Sequence, residues 1–446
     1  MRFSKNIDTR PCLALASIAT LLFATAAPLL ASPEIPGAVI KEPVALIGGT
    51  VHTVSGKPIV GGTLVFHGGK IVAVGKKVKI PANAKKIDVK GKHVYPGLIE
   101  SYTDIGLTEI NAVRATRDQR EVGQLNPNVR AQVAFNPDSE LIPVARANGV
   151  LLALSTPQGG LISGQSALMC LDGWTYEDMA LLPAAAMHVD WPRMSPISAW
   201  WSRESNKEQL ADRDKALKQL DEVFAQARAY RKAKKAGTQR EQDLRFEAML
   251  PVLARKQPLV VSADDIQQIQ AAVAFAQRQK VKLIVLGGYD APRCAALLKK
   301  YEVPVIVAGV HRLPRRRGDD YDAPFTVPER LRKAGVRFCI SGRGRFSAAN
   351  VRNLPYHAGT ASAHSLPPAE ALRAITLYPA KILGVADRVG SLEQGKHATL
   401  IVTDGDILET PTQVLSAYIQ GRPVSLNNRH KRLWEKYKEK YRRQEK

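Results

Sequence analysis

Apolar positions along this chain follow two rhythms. Between Pro43 and Val94, short β-type runs are broken by glycine. Thr63-Leu64-Val65-Phe66 and Ile71-Val72-Ala73-Val74 flank His67-Gly68-Gly69-Lys70, a pattern that predicts a hairpin whose glycines supply positive φ. Further on, apolar strands alternate with helical periodicity. Strands are predicted at Gly149–Ser155, Leu259–Ser262, Lys282–Gly287, Pro304–Ala308 and Val336–Ser341. Helices are predicted at Asp265–Gln279, Ala291–Lys300, Pro328–Ala334 and Pro368–Thr376. Such alternation argues for parallel strands joined by crossover helices. Leu217, Leu220, Phe224 and Ala227 recur at helical spacing in a strongly charged segment, which predicts a long amphipathic helix packed on the rest of the fold. In the basic tail from Arg429 to Lys446, Trp434, Tyr437 and Tyr441 fall at i, i+3 and i+7, one face of a helix. That stripe is expected to dock on the chain's own domain; the other reading is contact with a membrane surface or an acidic polymer.

Composition changes this picture in two places. Arg2, Lys5 and Arg10 precede an uncharged run from Cys12 to Leu30, and Ala24-Thr25-Ala26 offers small residues for signal peptidase. This reads as a secretory signal over residues 1–31, with export to the periplasm or cell envelope; retention as an uncleaved anchor is the alternative. The net charge of +23 implies attraction to anionic surfaces or polymers, or a solvated basic surface. Nothing points to a specific nucleic acid. Of the four cysteines, Cys170, Cys294 and Cys339 lie beyond the signal and read as small buried hydrophobes.

No His-x-His, His-Glu-x-x-His or G-x-S-x-G pattern occurs in the 446 residues. Gly160 and Gly164 flank an apolar loop without a phosphate-binding pattern, and the Arg315-Arg316-Arg317 loop is expected to be solvated. His311 and His357 read as surface or hydrogen-bonding residues rather than ligands.

Pro96-Gly97-Leu98-Ile99-Glu100-Ser101-Tyr102-Thr103-Asp104 resembles the first barrel strand of the amidohydrolase superfamily, which there ends in a metal-binding His-x-His. Asn136-Pro137-Asp138-Ser139, Ala145–Val150, Gly160–Ala167, Ala371–Thr376 and Pro379–Gly384 look like imidazolonepropionase-like members. Gly390-Ser391-Leu392-Glu393-Gln394-Gly395-Lys396 followed by His397–Val402 resembles the family's closing strand pair. The resemblance implies an α/β fold: a (β/α)8 TIM-type barrel over residues 96–384 with a small composite β-sandwich. The sandwich would combine residues 32–95 and 385–428, and a basic helical tail would follow at 429–446.

The same resemblance implies a divalent metal, usually zinc, yet the matched positions are altered. Tyr102 and Asp104 stand for the two histidines. Leu259, Val261 and Gly287 fall where later imidazoles would be, and Arg343 replaces an aspartate. No lysine ligand is evident between Pro183 and Glu204. A phenol, aliphatic groups and a guanidinium cannot reproduce a zinc site, so no cofactor, metal ligand or catalytic residue is expected. Tyr102, Asp104 and Arg343 are instead expected to line a binding site, Asp104 and Arg343 approaching each other as an ion pair where a cation would sit. The leading expectation is an exported non-catalytic binding protein or partner subunit, associated with an active amidohydrolase relative or a second copy of itself. Two alternatives stay open: a hydrolase of non-peptide C–N bonds such as cyclic amides with an atypical site, and a basic envelope-associated binding module.

Overall fold

The computed structural model describes residues 35–198, 202–239 and 241–444. The predicted secretory signal lies outside the described residues. No helix among the described residues is long and apolar enough to cross a membrane.

Two eight-stranded sheets organise the described residues. The first is composite. Its N-terminal strands run from Val44 to Pro96, and its C-terminal ones, Leu400–Thr403, Val414–Ile419 and Arg422–Val424, complete it. The two halves join where Leu400–Thr403 pairs antiparallel with His93–Pro96. The hairpin forms as the pattern predicts: Ile59–His67 pairs with Lys70–Gly75 across Gly68 and Gly69, whose φ values are +55° and +79°. These are the left-handed conformations that a two-residue connection demands.

The second sheet curls into the barrel. Its strands are β1 (Leu98–Thr103), β2 (Val150–Ser155), β3 (Ile162–Cys170), β4 (Ala180–Asp190), β5 (Leu259–Ala263), β6 (Leu283–Gly287), β7 (Val305–Ala308) and β8 (Phe338–Ser341). They lie side by side in that order. β3 departs from the parallel scheme, running antiparallel to both neighbours. Only residues 156–161 separate it from β2, too few for a crossover helix. The segment expected as an apolar loop at Gly160–Gly164 is therefore the start of a buried strand.

Alternation along the strands divides the core. Tyr102, Ala186, Val260, Ile284, Leu286, Ile306 and Cys339 pack together inside the barrel. Their chain neighbours Leu259, Val261, Val285, Val305, Val307 and Ile340 point outward and join the large cluster under the helices. The helix Ile266–Gln279 begins at a capping box of Asp265 and Gln268 and buries Ile269, Ala272, Val273 and Phe275 on that outer layer. The long helix Asn206–Lys235 packs there too, with Phe224 edge-on to Phe275 at 5.2 Å between centroids. Cys170, Cys294 and Cys339 are free and buried.

The tail differs from expectation. Arg429–Gln444 is helical, but none of its residues is buried, so the aromatic stripe is not docked on the domain. Leu433, Trp434, Tyr437 and Tyr441 all remain exposed.

Candidate binding site at the barrel mouth

β1 carries the residue that sequence reasoning passed over. Leu98-Ile99-Glu100-Ser101-Tyr102-Thr103 is buried at every position, so Glu100 is a carboxylate inside a core strand, only 1% exposed. Its Oε1 accepts from the Tyr102 N–H at 3.0 Å and the Ser341 hydroxyl at 2.6 Å, and its Oε2 accepts from the Gly342 N–H at 2.8 Å. No ladder joins β1 to β8 in the strand order, so these bonds close the barrel seam. Burial pushes the Glu100 carboxyl up to about 7, against the pull of donors from Ser341, Gly342 and the β1 backbone. A single charged residue in an otherwise uncharged strand was the available signal.

Two residues further along β1, on the same face, Tyr102 reaches the mouth. Its phenol is pushed up to about 12, chiefly by burial, with Arg343 opposing and Asp190 and Asp104 adding to the rise. The Arg343 guanidinium lies over the Tyr102 ring, 4.9 Å from its centroid, and donates to the Ser262 hydroxyl at 3.4 Å. Cation–π contact of this kind is worth about 0.5–2 kcal/mol, depending on desolvation. On β4, His188 sits 6.1 Å from Tyr102 ring to ring, and its Nε2 is 2.8 Å from the Ser166 hydroxyl. Burial holds this imidazole down at about 3, with the Arg343 charge acting in the same sense, so it is neutral. A histidine near the end of a barrel strand was the available signal for His188.

The expected ion pair is not formed. Asp104 is buried, and its Oδ1 accepts from the Ala348 N–H at 2.8 Å. It thereby anchors the segment after β8, Thr108 on the loop after β1 being a second donor, while burial raises its carboxyl above the ordinary range. The Asp104 carboxylate is thus spent on backbone, and Arg343 pairs with an aromatic face instead. Of the three predicted site residues, the fold brings Tyr102 and Arg343 together and gives Asp104 a separate, structural post.

Register corrects a second expectation. Leu259 and Val261 face the helices, whereas Val260 packs inside the barrel and Ser262 reaches Arg343 at its mouth. Counting along the sequence placed the imidazole positions one residue off the inward face. Gly287 has φ +111°, a backbone conformation that strains any L side chain, histidine included. Ile284 and Leu286 are the inward residues of β6.

A cavity of about 370 Å³ opens beside this cluster, lined among others by Arg193, Ser262, Asp264, Arg315 and Arg343. Asp264 is already held by Arg312 and Arg315, each at 3.3 Å, and these charges keep its carboxyl below the usual range although burial works the other way. Asp265 caps the following helix. Among the described residues Arg343 has no ion-pair partner, its neighbours being Tyr102 and Ser262. The arginine loop is also not simply solvated: Arg316 grips buried Asp290 with two hydrogen bonds and lies 3.6 Å from Asp319. The mouth is therefore arginine-rich, with its carboxylates largely consumed.

The family metal does not fit this site. The groups that converge are a phenol, a guanidinium without lone pairs, a hydroxyl and one buried imidazole. Among the described residues no group of three or more His, Cys, Asp or Glu is placed to hold a metal ion.

Comparison with known proteins accords with the scaffold. The sequence model of the amidohydrolase family matches residues 320–425. Imidazolonepropionase from Micrococcus luteus is 35% identical over 104 residues, which are 23% of this chain and 25% of that enzyme. The match thus spans about a quarter of the length of that curated relative. An amidohydrolase structure from Thermotoga maritima MSB8 superposes with a TM-score of 0.74 at 24% identity, covering 86% of this chain and 99% of that one. A prolidase complexed with N-methylphosphonate-L-proline gives 0.52 at 17% identity, with 86% and 99% covered. Residues 320–425 are thus amidohydrolase-like in sequence, and the fold as a whole is the one these amidohydrolase structures share.

Proposed function

We propose that this protein is a non-hydrolytic amidohydrolase relative, exported to the cell envelope, whose barrel mouth binds an anionic small molecule. The observation that carries this reading is the Arg343 guanidinium lying over Tyr102 at the position matched to a family metal ligand, beside an arginine-lined cavity. A fixed cation with no carboxylate partner repels a divalent metal and attracts a carboxylate or phosphate. The hydrolase alternative draws less support. Tyr102 at about 12 is far from a proton-transfer range near neutrality, and Asp104 is committed to the Ala348 amide. Such a chain could serve as the binding partner of an active relative or of a second copy.

Inorganic phosphate and succinate are suitable probes. Each should raise the melting temperature of the wild-type protein, and neither should raise that of the Arg343→Ala variant. Equal shifts in both would remove the mouth from the account. Hydrolysis of a cyclic amide by the purified protein would overturn the non-hydrolytic reading.

A further inference from the structure

The helix Arg429–Gln444 combines two properties that the barrel does not need. Its residues include eight Lys or Arg against two Glu, and none of its side chains is buried. His430, Leu433, Trp434, Tyr437 and Tyr441 recur at i, i+3, i+4, i+7 and i+11, a single stripe along one face. Within it Leu433, Trp434, Tyr437 and Tyr441 are 40%, 59%, 48% and 58% exposed, so four large apolar groups lie in water together. A stripe left open in this way needs an explanation.

Among the described residues, the ion pairs and hydrogen bonds that tie the helix to the rest of the chain lie at its start. Arg432 pairs with Glu140 at 2.8 Å, and Arg352 meets His430 at 2.8 Å. Further along, Glu439 is neutralised within the helix by Arg442 and Arg443, at 2.7 and 2.8 Å. Lys438 lies over the Trp434 ring, 4.7 Å from its centroid, which sets an ammonium at the edge of the aromatic face. Lys436 and Lys440 stand near Tyr437 and Tyr441 in the same manner.

We propose that this helix docks the protein onto an anionic phospholipid surface. Aromatic rings with polar tips settle at the headgroup level, and cations flanking them meet the lipid phosphates. The charge complementarity favours a lipid surface over a protein groove, because the cations surround the apolar stripe rather than facing one discrete acidic partner. The inference stands apart from the barrel mouth and does not depend on what binds there.

The test uses the full chain without its leader and vesicles of two compositions. Wild-type protein should sediment with phosphatidylglycerol-containing vesicles, far less with pure phosphatidylcholine, and the bound fraction should fall steeply with salt. The Trp434→Ser/Tyr437→Ser/Tyr441→Ser variant keeps every charge. It should bind the anionic vesicles at least about tenfold more weakly while melting close to the wild type, since none of these residues is buried. A Lys436→Gln/Lys438→Gln/Lys440→Gln variant should also lose binding. Equal vesicle binding by the aromatic variant and wild type would overturn the proposal. So would wild-type protein that elutes late from a heparin column yet ignores both vesicle types, the outcome for an acidic-polymer partner.

Discussion

The two faces of the barrel strands have had different fates. Outward residues such as Leu259, Val261, Val285 and Ile340 form a continuous apolar layer under the helices, as any barrel of this family requires. Inward residues toward the C-terminal ends read Tyr102, His188, Ser262 and Arg343, a set with a single imidazole and no carboxylate. Fold and chemistry therefore sit on alternate residues of the same short segments. One can be replaced while the other is kept, which is how a chain can superpose on an amidohydrolase at a TM-score of 0.74 and still lack a ligand set among its described residues.

The largest effect that would break this contrast comes from putting one residue type on both faces. Val261→His buries an imidazole in the outer layer and should cost roughly 3 kcal/mol or more of unfolding free energy in urea titrations. Ser262→His, next in the chain but facing the mouth, should cost less than about 1 kcal/mol. The reverse order would mean that the assigned register is wrong.

Glu100 tests where the two faces meet. Glu100→Ala strips one acceptor from the Ser341 hydroxyl and the Tyr102 and Gly342 amides, and should destabilise by roughly 2–4 kcal/mol. Glu100→Gln sharpens this through pH. The folded-state carboxyl is raised to about 7 from an ordinary 4.5, so its stabilisation is complete below 4.5 and fades as pH rises through 7. The wild-type advantage over Glu100→Gln should therefore shrink between pH 5 and 8, on the order of 3 kcal/mol at most. His188, lowered to about 3 from 6.5, works in the opposite sense: its contribution is present above 6.5 and is lost as pH falls toward 3. A difference between wild type and Glu100→Gln that stays flat across this range would show that Glu100 remains ionised throughout.

Arg343→Ala, too, should have a small effect. With no buried carboxylate depending on it, Arg343→Ala should cost only about 1 kcal/mol, the scale of its contact with Tyr102. A loss of several kcal/mol would instead restore the idea of an Asp104–Arg343 pair.

Much of this was legible in the sequence for a physical reason: strand–helix alternation and glycine-marked turns are local signals. The hairpin at Gly68-Gly69, the Asp265 helix start and the strands β5 to β8 all follow from such patterns. What escaped depends on register or on distance in space. Matching by motif placed the lost ligands at Leu259 and Val261, because nothing local states which parity faces inward. Asp104 and Arg343 were paired on charge alone, whereas the fold gives Asp104 to Ala348 and Arg343 to Tyr102. Glu100 escaped because its partners Ser341 and Gly342 are more than two hundred residues away. The tail stripe was read correctly as one helical face, but where it points is a tertiary fact.

The central claim is that a fixed guanidinium now holds the place matched to the family's metal ligand. Metal analysis of purified protein, exposed to excess zinc and then dialysed, tests it most directly. The account predicts no stoichiometric zinc in either the wild type or Arg343→Ala, because removing one cation creates no ligands. One equivalent of zinc surviving dialysis in the wild-type protein would contradict it.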